Sequence, residues 1–347
     1  MSFLERARRV AQLASALGAA ALVGFALGSL SQRVIGLREE GAAQTEQRRA
    51  SAELPTPSWK GRTALVTGAS SGIGRAVAVR LASLGARVAV HYSANEAGAR
   101  ETVALCAAAA GGDARSAVAV RAELGSGAVE DSARALLTTA IRELGRVDVL
   151  VNNAGAFNEI ALCVAPAAGV PLDEELDAGA GGSPSLAAFM ANWRGTIKLN
   201  LESAAALIFI FGRYLARRHT AGNPAVPVGA IVNVGSRGAF RGEPNAWAYG
   251  ASKAALHQLG ASAAVSLGAF GVVVTSVAPG FVSTQRQIDT NLGGGPHTAQ
   301  IKSQSPWGRT ATPEEVAAAV ETCGRFWECA FLTGAIVDVN GASYLRT

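Results

Sequence analysis

A short apolar run, Thr63-Ala64-Leu65-Val66, breaks directly into Thr67-Gly68-Ala69-Ser70-Ser71-Gly72-Ile73-Gly74, and a helical pattern follows from Arg75 to Leu84. Few folds accept strand, glycine turn and helix in that order. Glycines let the backbone approach a pyrophosphate, and a helix N-terminus supplies free N–H groups and the positive end of its dipole. The spacing is T-G-x-x-x-G-x-G rather than the commoner G-x-G-x-x-G. A second strand, Arg87 to Val90, follows at the distance of a βαβ unit. A helix (97–110), a strand (Ala117 to Val120) and a helix (128–144) repeat the unit, and a buried strand, Val147 to Val151, runs into Asn152-Asn153-Ala154-Gly155. The alternation predicts the α/β class, with a parallel sheet.

The end of the second strand selects the nucleotide. A carboxylate there would bind the ribose hydroxyls of NAD and repel a 2′-phosphate. The chain instead reads His91-Tyr92-Ser93-Ala94-Asn95. NADP(H) is therefore the expected cofactor, with NAD(H) as the alternative. No arginine lies within the glycine turn, so the phosphate is expected to lean on the hydroxyls of Ser70, Tyr92 or Ser93.

Further along, Tyr249 and Lys253 stand four apart at the start of a helical stretch from Ala251 to Leu267. On one helix face, a cation beside a phenol would favour the phenolate and lower a pKa of about 10. The same spacing also suits an ordinary surface pair. A buried strand, Gly229 to Val234, ends in Gly235-Ser236-Arg237, and the carboxyl end of such a strand faces the ligand crevice. A second apolar run, Val272 to Val277, leads to Pro279-Gly280-Phe281-Val282-Ser283-Thr284.

T-G-x-x-x-G-x-G, then N-N-A-G, a serine and Y-x-x-x-K, resembles the short-chain dehydrogenase/reductase family over about residues 59 to 345. The resemblance implies a single Rossmann-type domain, a doubly wound parallel sheet with helices on both faces, and a catalytic set of Asn200, Ser236, Tyr249 and Lys253. Ser236 would donate to a substrate carbonyl and Tyr249 would protonate it. Lys253 would lower the phenol pKa and hold the nicotinamide ribose, and Asn200 would anchor a water relaying protons to Lys253. It also implies cofactor contacts from Thr67, Gly68, Ser70, Ser71, Gly72, Ile73 and Gly74, from Tyr92 and Ser93, from Asn153, Ala154 and Gly155, and from Tyr249 and Lys253. Pro279, Gly280, Val282 and Thr284 would meet the nicotinamide carboxamide. Glu123 stands where many members have an aspartate near the adenine. The likeness is greatest to 3-oxoacyl-carrier-protein reductases, with pteridine reductases as the alternative. Oligomers, usually dimers or tetramers, are the family's expectation.

Outside this core, the chain begins with a basic, apolar leader. Of the formal charge of +5, the first 50 residues, with seven Arg and four Glu, carry +3, leaving +2 for the body and no basic face for nucleic acid. Arg6, Arg8 and Arg9 precede an apolar run from Val10 to Leu30 that is long enough to span a bilayer. Membrane anchor, organellar presequence (mitochondrial or plastid) and secretory signal compete for it. Residues 1–57 are expected to be leader and linker, and 58–347 one catalytic domain with an insertion at about 158–190. Gln285 to Ser305 reads as a lid over a small-molecule or acyl-thioester carbonyl substrate. Cys106, Cys163, Cys323 and Cys329 show no metal-ligand or disulfide spacing, so free thiols in a reducing compartment and no metal are expected. From another class, a membrane-bound structural subunit of a larger assembly would also keep this fold.

Overall fold

The computed structural model describes residues 58–160, 184–219, 226–290, 294 and 296–346, with Glu5 and Ser15. Contacts divide the chain into Met1–Pro57 and Ser58–Thr347, and every element below belongs to the second unit. The apolar leader run, Cys163 and the acidic stretch Asp173 to Glu175 lie outside the described residues.

Seven parallel strands form one sheet: β1 (Thr63–Val66), β2 (Arg87–Tyr92), β3 (Ala117–Arg121), β4 (Val149–Asn152), β5 (Gly229–Val234), β6 (Val272–Pro279) and β7 (Ile336–Val339), in the order β3-β2-β1-β4-β5-β6-β7. Helices α1 (Gly72–Ser83), α2 (Glu96–Ala109) and α3 (Val129–Leu144) alternate with the first four strands. Beyond β4 come α4 (Leu186–Ile197), a π turn (Lys198–Glu202) and α5 (Ser203–Ala216). Then follow α6 (Trp247–Gly268), α7 (Gln285–Thr290), α8 (Pro296–Ser303) and α9 (Pro313–Gly324).

Side chains along a strand alternate between faces, and two cores result. Ala64 and Val66, Val88 and Val90, and Val149 and Val151 face a cluster with Val77, Leu81, Val320 and Phe326 from α1 and the α9 region. Leu65, Ala89, Leu150 and Ile231 face the other, with Leu136 of α3 and Phe211 of α5. Strands buried on both faces are mostly apolar, which is why they read as Val/Ala/Leu runs, interrupted here at positions such as Asn233, Thr275 and Ser276. The strand order reverses between β1 and β4, so a crevice opens at their carboxyl ends. Helix α9 has the capping box that Thr312-Pro313-Glu314-Glu315 predicts.

Candidate active site

The turn after β1 is shaped for an anion. Gly68 and Gly72 have φ of +63° and +55°, the left-handed region that glycine enters freely. A Cβ on Gly74 would collide with the Gly68 carbonyl oxygen and the Asn153 side chain. Ser71, the exposed N-cap, makes no side-chain bond to α1, so the first N–H groups of that helix stay available to a pyrophosphate. These residues fit the dinucleotide that the sequence implies, with Ser71, Gly72, Ile73 and Gly74 as its holders.

The Thr67 hydroxyl is engaged within the protein: it donates to the Val151 carbonyl at 3.2 Å and accepts from the N–H groups of Asn153 and Ala154, both at 2.9 Å. One donor and two lone pairs are all a hydroxyl has, so Thr67 ties the β4 loop to the turn. Asn153 does the same from the other side, Nδ2 donating to the carbonyls of Thr67 at 2.8 Å and Gly68 at 3.2 Å.

At the end of β2 the expected set separates. Tyr92 packs into the core and Ser93 is half-buried, while Asn95 caps α2 by accepting from the Gly98 N–H. Glu123 is exposed, and its carboxylate turns back to the Gly125 N–H at 2.9 Å. Two residues that the strand pattern did not single out stand here. His91 is buried, with Nδ1 accepting from the Gly68 N–H at 3.0 Å and Nε2 3.1 Å from the Ala122 carbonyl oxygen. Burial pushes its pKa down to about 4. Arg121, at the end of β3, donates from Nε to the Ser93 carbonyl at 3.2 Å, so a cation stands over the end of β2. Arg75, just after the glycine turn, is engaged by Thr102, Glu101 and the carbonyls of Ser70 and Gly98.

The catalytic set converges where β4, β5 and α6 meet. Helix α6 begins at Trp247, so Tyr249 and Lys253 both lie on it, one turn apart. Ser236 caps a short 3₁₀ turn after β5, its Oγ accepting from the Gly238 N–H at 3.0 Å, and it lines the same cleft as Tyr249. Lys253 Nζ donates to the Val234 carbonyl at 2.9 Å and lies 5.8 Å from the Tyr249 ring centroid. Asn200, in the π turn, is buried. Its Nδ2 donates to the Ala156 carbonyl at 3.0 Å and Ser252 Oγ at 3.1 Å, and its Oδ1 accepts from the Ala156 N–H at 2.8 Å. One lone pair of Oδ1 is left for a water. A Cβ on Gly155 would lie 3.1 Å from Asn200 Oδ1 and 3.5 Å from Lys253 Nζ, so the β4 loop passes over both.

Burial is the first cause of the shifts at both Tyr249 and Lys253. Burial holds the Tyr249 pKa above its ordinary value, with the Ser236 hydrogen bond pulling the other way. Burial also lowers Lys253 to about 8, so the cation invoked to depress the phenol is itself destabilised by the same dry surroundings. One turn further on, the His257 ring stacks on Phe240 at 5.1 Å and occupies the space a side chain at Gly235 would need.

The cleft over these groups is lined by Ile73, Asn153, Gly155, Ser236, Tyr249 and Lys253, and by Pro279, Gly280, Val282 and Thr284. Sequence reasoning missed Phe157, edge-on to Tyr249 at 4.8 Å, and Arg237, Glu243 and Phe281 in the same wall. The only available signal was position, since each lies within eight residues of a recognised motif. The expected lid contributes Arg286 and Gln287 of α7. Thr284 Oγ1 accepts from the Gln287 N–H at 3.3 Å.

A family model described as short chain dehydrogenase matches residues 62–293. The 3-oxoacyl-[acyl-carrier-protein] reductase of Synechocystis sp. is 30% identical over 81% of this chain and 96% of that protein. The cis-4-hydroxycyclohexanecarboxylate dehydrogenase of Sinomonas cyclohexanicum is 36% identical over 61% of this chain and 72% of its own. Among solved structures, the promiscuous reductase LugOII, which catalyses keto-reduction at C1 during lugdunomycin biosynthesis, is 30% identical with a TM-score of 0.65, over 83% of this chain and 99% of that one. The angucycline C-6 ketoreductase LanV with bound NADP is 29% identical with a TM-score of 0.62, over 82% and 96%.

Proposed function

The chain belongs to the short-chain dehydrogenase family and is an NAD(P)-dependent oxidoreductase, and from that premise we propose that it is an NADP(H)-preferring carbonyl reductase acting on a 3-oxoacyl thioester or a ketone of similar shape. The observation that carries the reading is the placing of Ser236 and Tyr249 together on the cleft wall, with Lys253 one helical turn behind.

Bound NADPH supplies hydride from nicotinamide C4 to the substrate carbonyl carbon. As negative charge gathers on the carbonyl oxygen, the Ser236 hydroxyl donates a hydrogen bond to it. The Tyr249 hydroxyl transfers its proton to the same oxygen as general acid. Burial keeps Tyr249 protonated at neutral pH, which suits the reductive direction. Lys253 is held to the Val234 carbonyl, so its remaining N–H groups are free for the nicotinamide ribose. Once Tyr249 has given its proton to the substrate, a water on Asn200 Oδ1 would return one to it by way of Lys253. Phe157 and Phe281 shield the reacting oxygen from bulk water.

Two observations support NADP(H). No carboxylate stands at the end of β2, and the Arg121 guanidinium does. The thioester assignment is supported by the likeness to 3-oxoacyl reductases over most of the chain.

The test is NADPH consumption by the full chain against 3-oxoacyl thioesters, cyclic ketones and pterins, with NADH in parallel. Activity should be highest with the thioesters and with NADPH, and Tyr249→Phe should lower kcat by about 10²- to 10⁴-fold while still binding NADPH. Failure to reduce any carbonyl would sink the enzymatic reading, and equal use of NADH would sink the cofactor preference.

A further inference from the structure

We infer that His91 is a positioning residue of the cofactor site, a neutral imidazole that sets the attitude of the phosphate-binding turn by holding Gly68 on one ring nitrogen and Ala122 on the other. The inference rests on the reading of Thr67 to Gly74 as the cradle.

The bonds fix the chemistry of the ring. A backbone N–H can only donate, so Nδ1, 3.0 Å from Gly68 N, must carry a lone pair. A carbonyl can only accept, so Nε2, 3.1 Å from the Ala122 oxygen, must carry the proton. Both partners thus demand the same neutral tautomer. Burial, which lowers the pKa of the ring to about 4, keeps it in that form.

The place of these bonds separates His91 from an ordinary buried histidine. Gly68 is where the chain leaves β1 and enters φ +63°. Its N–H goes to the His91 ring, and the next, from Ala69, goes to the His91 carbonyl at 2.8 Å. The preceding N–H, from Thr67, goes to Val151 at 3.0 Å. Three successive amides at the root of the turn are therefore anchored inward, two of them by His91. What is left for the anion is the helix end from Ser71 onward, aimed by that root. With an exposure of 2%, His91 touches no ligand and acts through Gly68.

The test compares two variants of the full chain. His91→Asn places an amide oxygen close to Nδ1, and His91→Leu removes both bonds at similar volume. Titration calorimetry with NADPH should give a Kd about tenfold weaker for His91→Leu and within about threefold of wild type for His91→Asn. The loss should fall on Kd and cofactor KM rather than on kcat. In the unliganded wild type, nitrogen NMR should report the Nε2–H tautomer at neutral pH, and the Gly68 amide should exchange slowly. His91→Leu binding as tightly as wild type, or His91→Asn binding as weakly as His91→Leu, overturns the inference. If His91→Leu does not fold, an Nδ1–H tautomer or a fast-exchanging Gly68 amide overturns it instead. A wild type that binds neither NADPH nor NADH strikes the reading of the cradle itself.

Discussion

The two ends of the parallel sheet treat buried charge in opposite ways. Just before β4, at the amino end, the fully buried Asp148 accepts from the Thr63 N–H at 3.0 Å and the Thr63 hydroxyl at 3.1 Å, and it is ion-paired to Arg146 at 3.1 Å and Arg218 at 2.8 Å. At the carboxyl end, Lys253 and Arg237 are almost as deeply buried but rest on neutral acceptors, the Val234 carbonyl at 2.9 Å and Gln304 Oε1 at 2.6 Å, with Ser343 also serving Arg237. Among the described residues neither forms an ion pair with a carboxylate. One end is matched for folding. The other keeps charge unmatched, so that a ligand can use it, and sacrifices stability to do so.

Substitutions on the two ends should therefore move stability in opposite directions. Asp148→Ala leaves two guanidinium groups without their carboxylate and should lower the unfolding free energy by about 3–5 kcal/mol, read by urea denaturation. Its kcat per folded molecule should stay within about twofold, because nothing it touches enters the cleft. A large fall in kcat with full stability would invert the comparison.

Histidines extend the contrast to pH. His91 and His257 are both held neutral, with pKa values lowered to about 4 by burial. The unfolded chain takes up their protons near pH 6.5 and the folded chain only near 4, so stability falls as pH drops through that window, by about 3 kcal/mol for each ring. Below about 4 the dependence from these groups ends. A flat stability profile across this range for wild type would show that the rings are not held neutral.

Lys253→Met should then do the reverse of Asp148→Ala. With its pKa lowered to about 8, Lys253 destabilises the fold throughout the range below pH 8, and stability recovers as pH rises from 8 towards 10.5. Replacing it with an apolar side chain should raise the unfolding free energy at neutral pH by about 2 kcal/mol while removing activity. A destabilised Lys253→Met would mean that the Val234 bond outweighs burial. The smallest effect is expected at the cofactor. Arg121→Leu should reduce the preference for NADPH over NADH by about tenfold in kcat/KM, and an unchanged ratio would remove Arg121 from the 2′-phosphate site.

The sheet was legible because strands buried on both faces are largely apolar, as in Leu65 or Val149 to Val151, although Thr275 and Ser276 also lie buried within β6. The glycine turn was legible for a related reason, since collisions at Gly74 and positive φ at Gly68 leave the sequence little choice. That Tyr249 and Lys253 share a helix was legible through their spacing, and the nearness of Ser236 and Asn200 only through the resemblance. What could not be read was the direction in which a polar side chain points. Thr67 turns its hydroxyl to the β4 loop, Tyr92 joins the core, and His91 turns inward from a strand end at which a ligand contact was expected. Each choice depends on a partner far along the chain, 84 residues away for Thr67 and Val151. The sign of the Tyr249 shift was hidden likewise, because i,i+4 spacing reports the cation but not how dry the site is.

The π turn from Lys198 to Glu202 separates two demands that a regular helix would couple. An extra residue in one turn advances the helical phase by about 100°. Within the turn, Asn200 can then aim at Ala156 and Ser252, while downstream Leu207, Phe211 and Leu215 keep their stripe on the sheet. Deleting Leu201 would restore a uniform helix and force a choice of phase, with either the amide or the stripe rotated away. The loop that covers Lys253 and the packing of α5 are thereby set independently, by one surplus residue of chain.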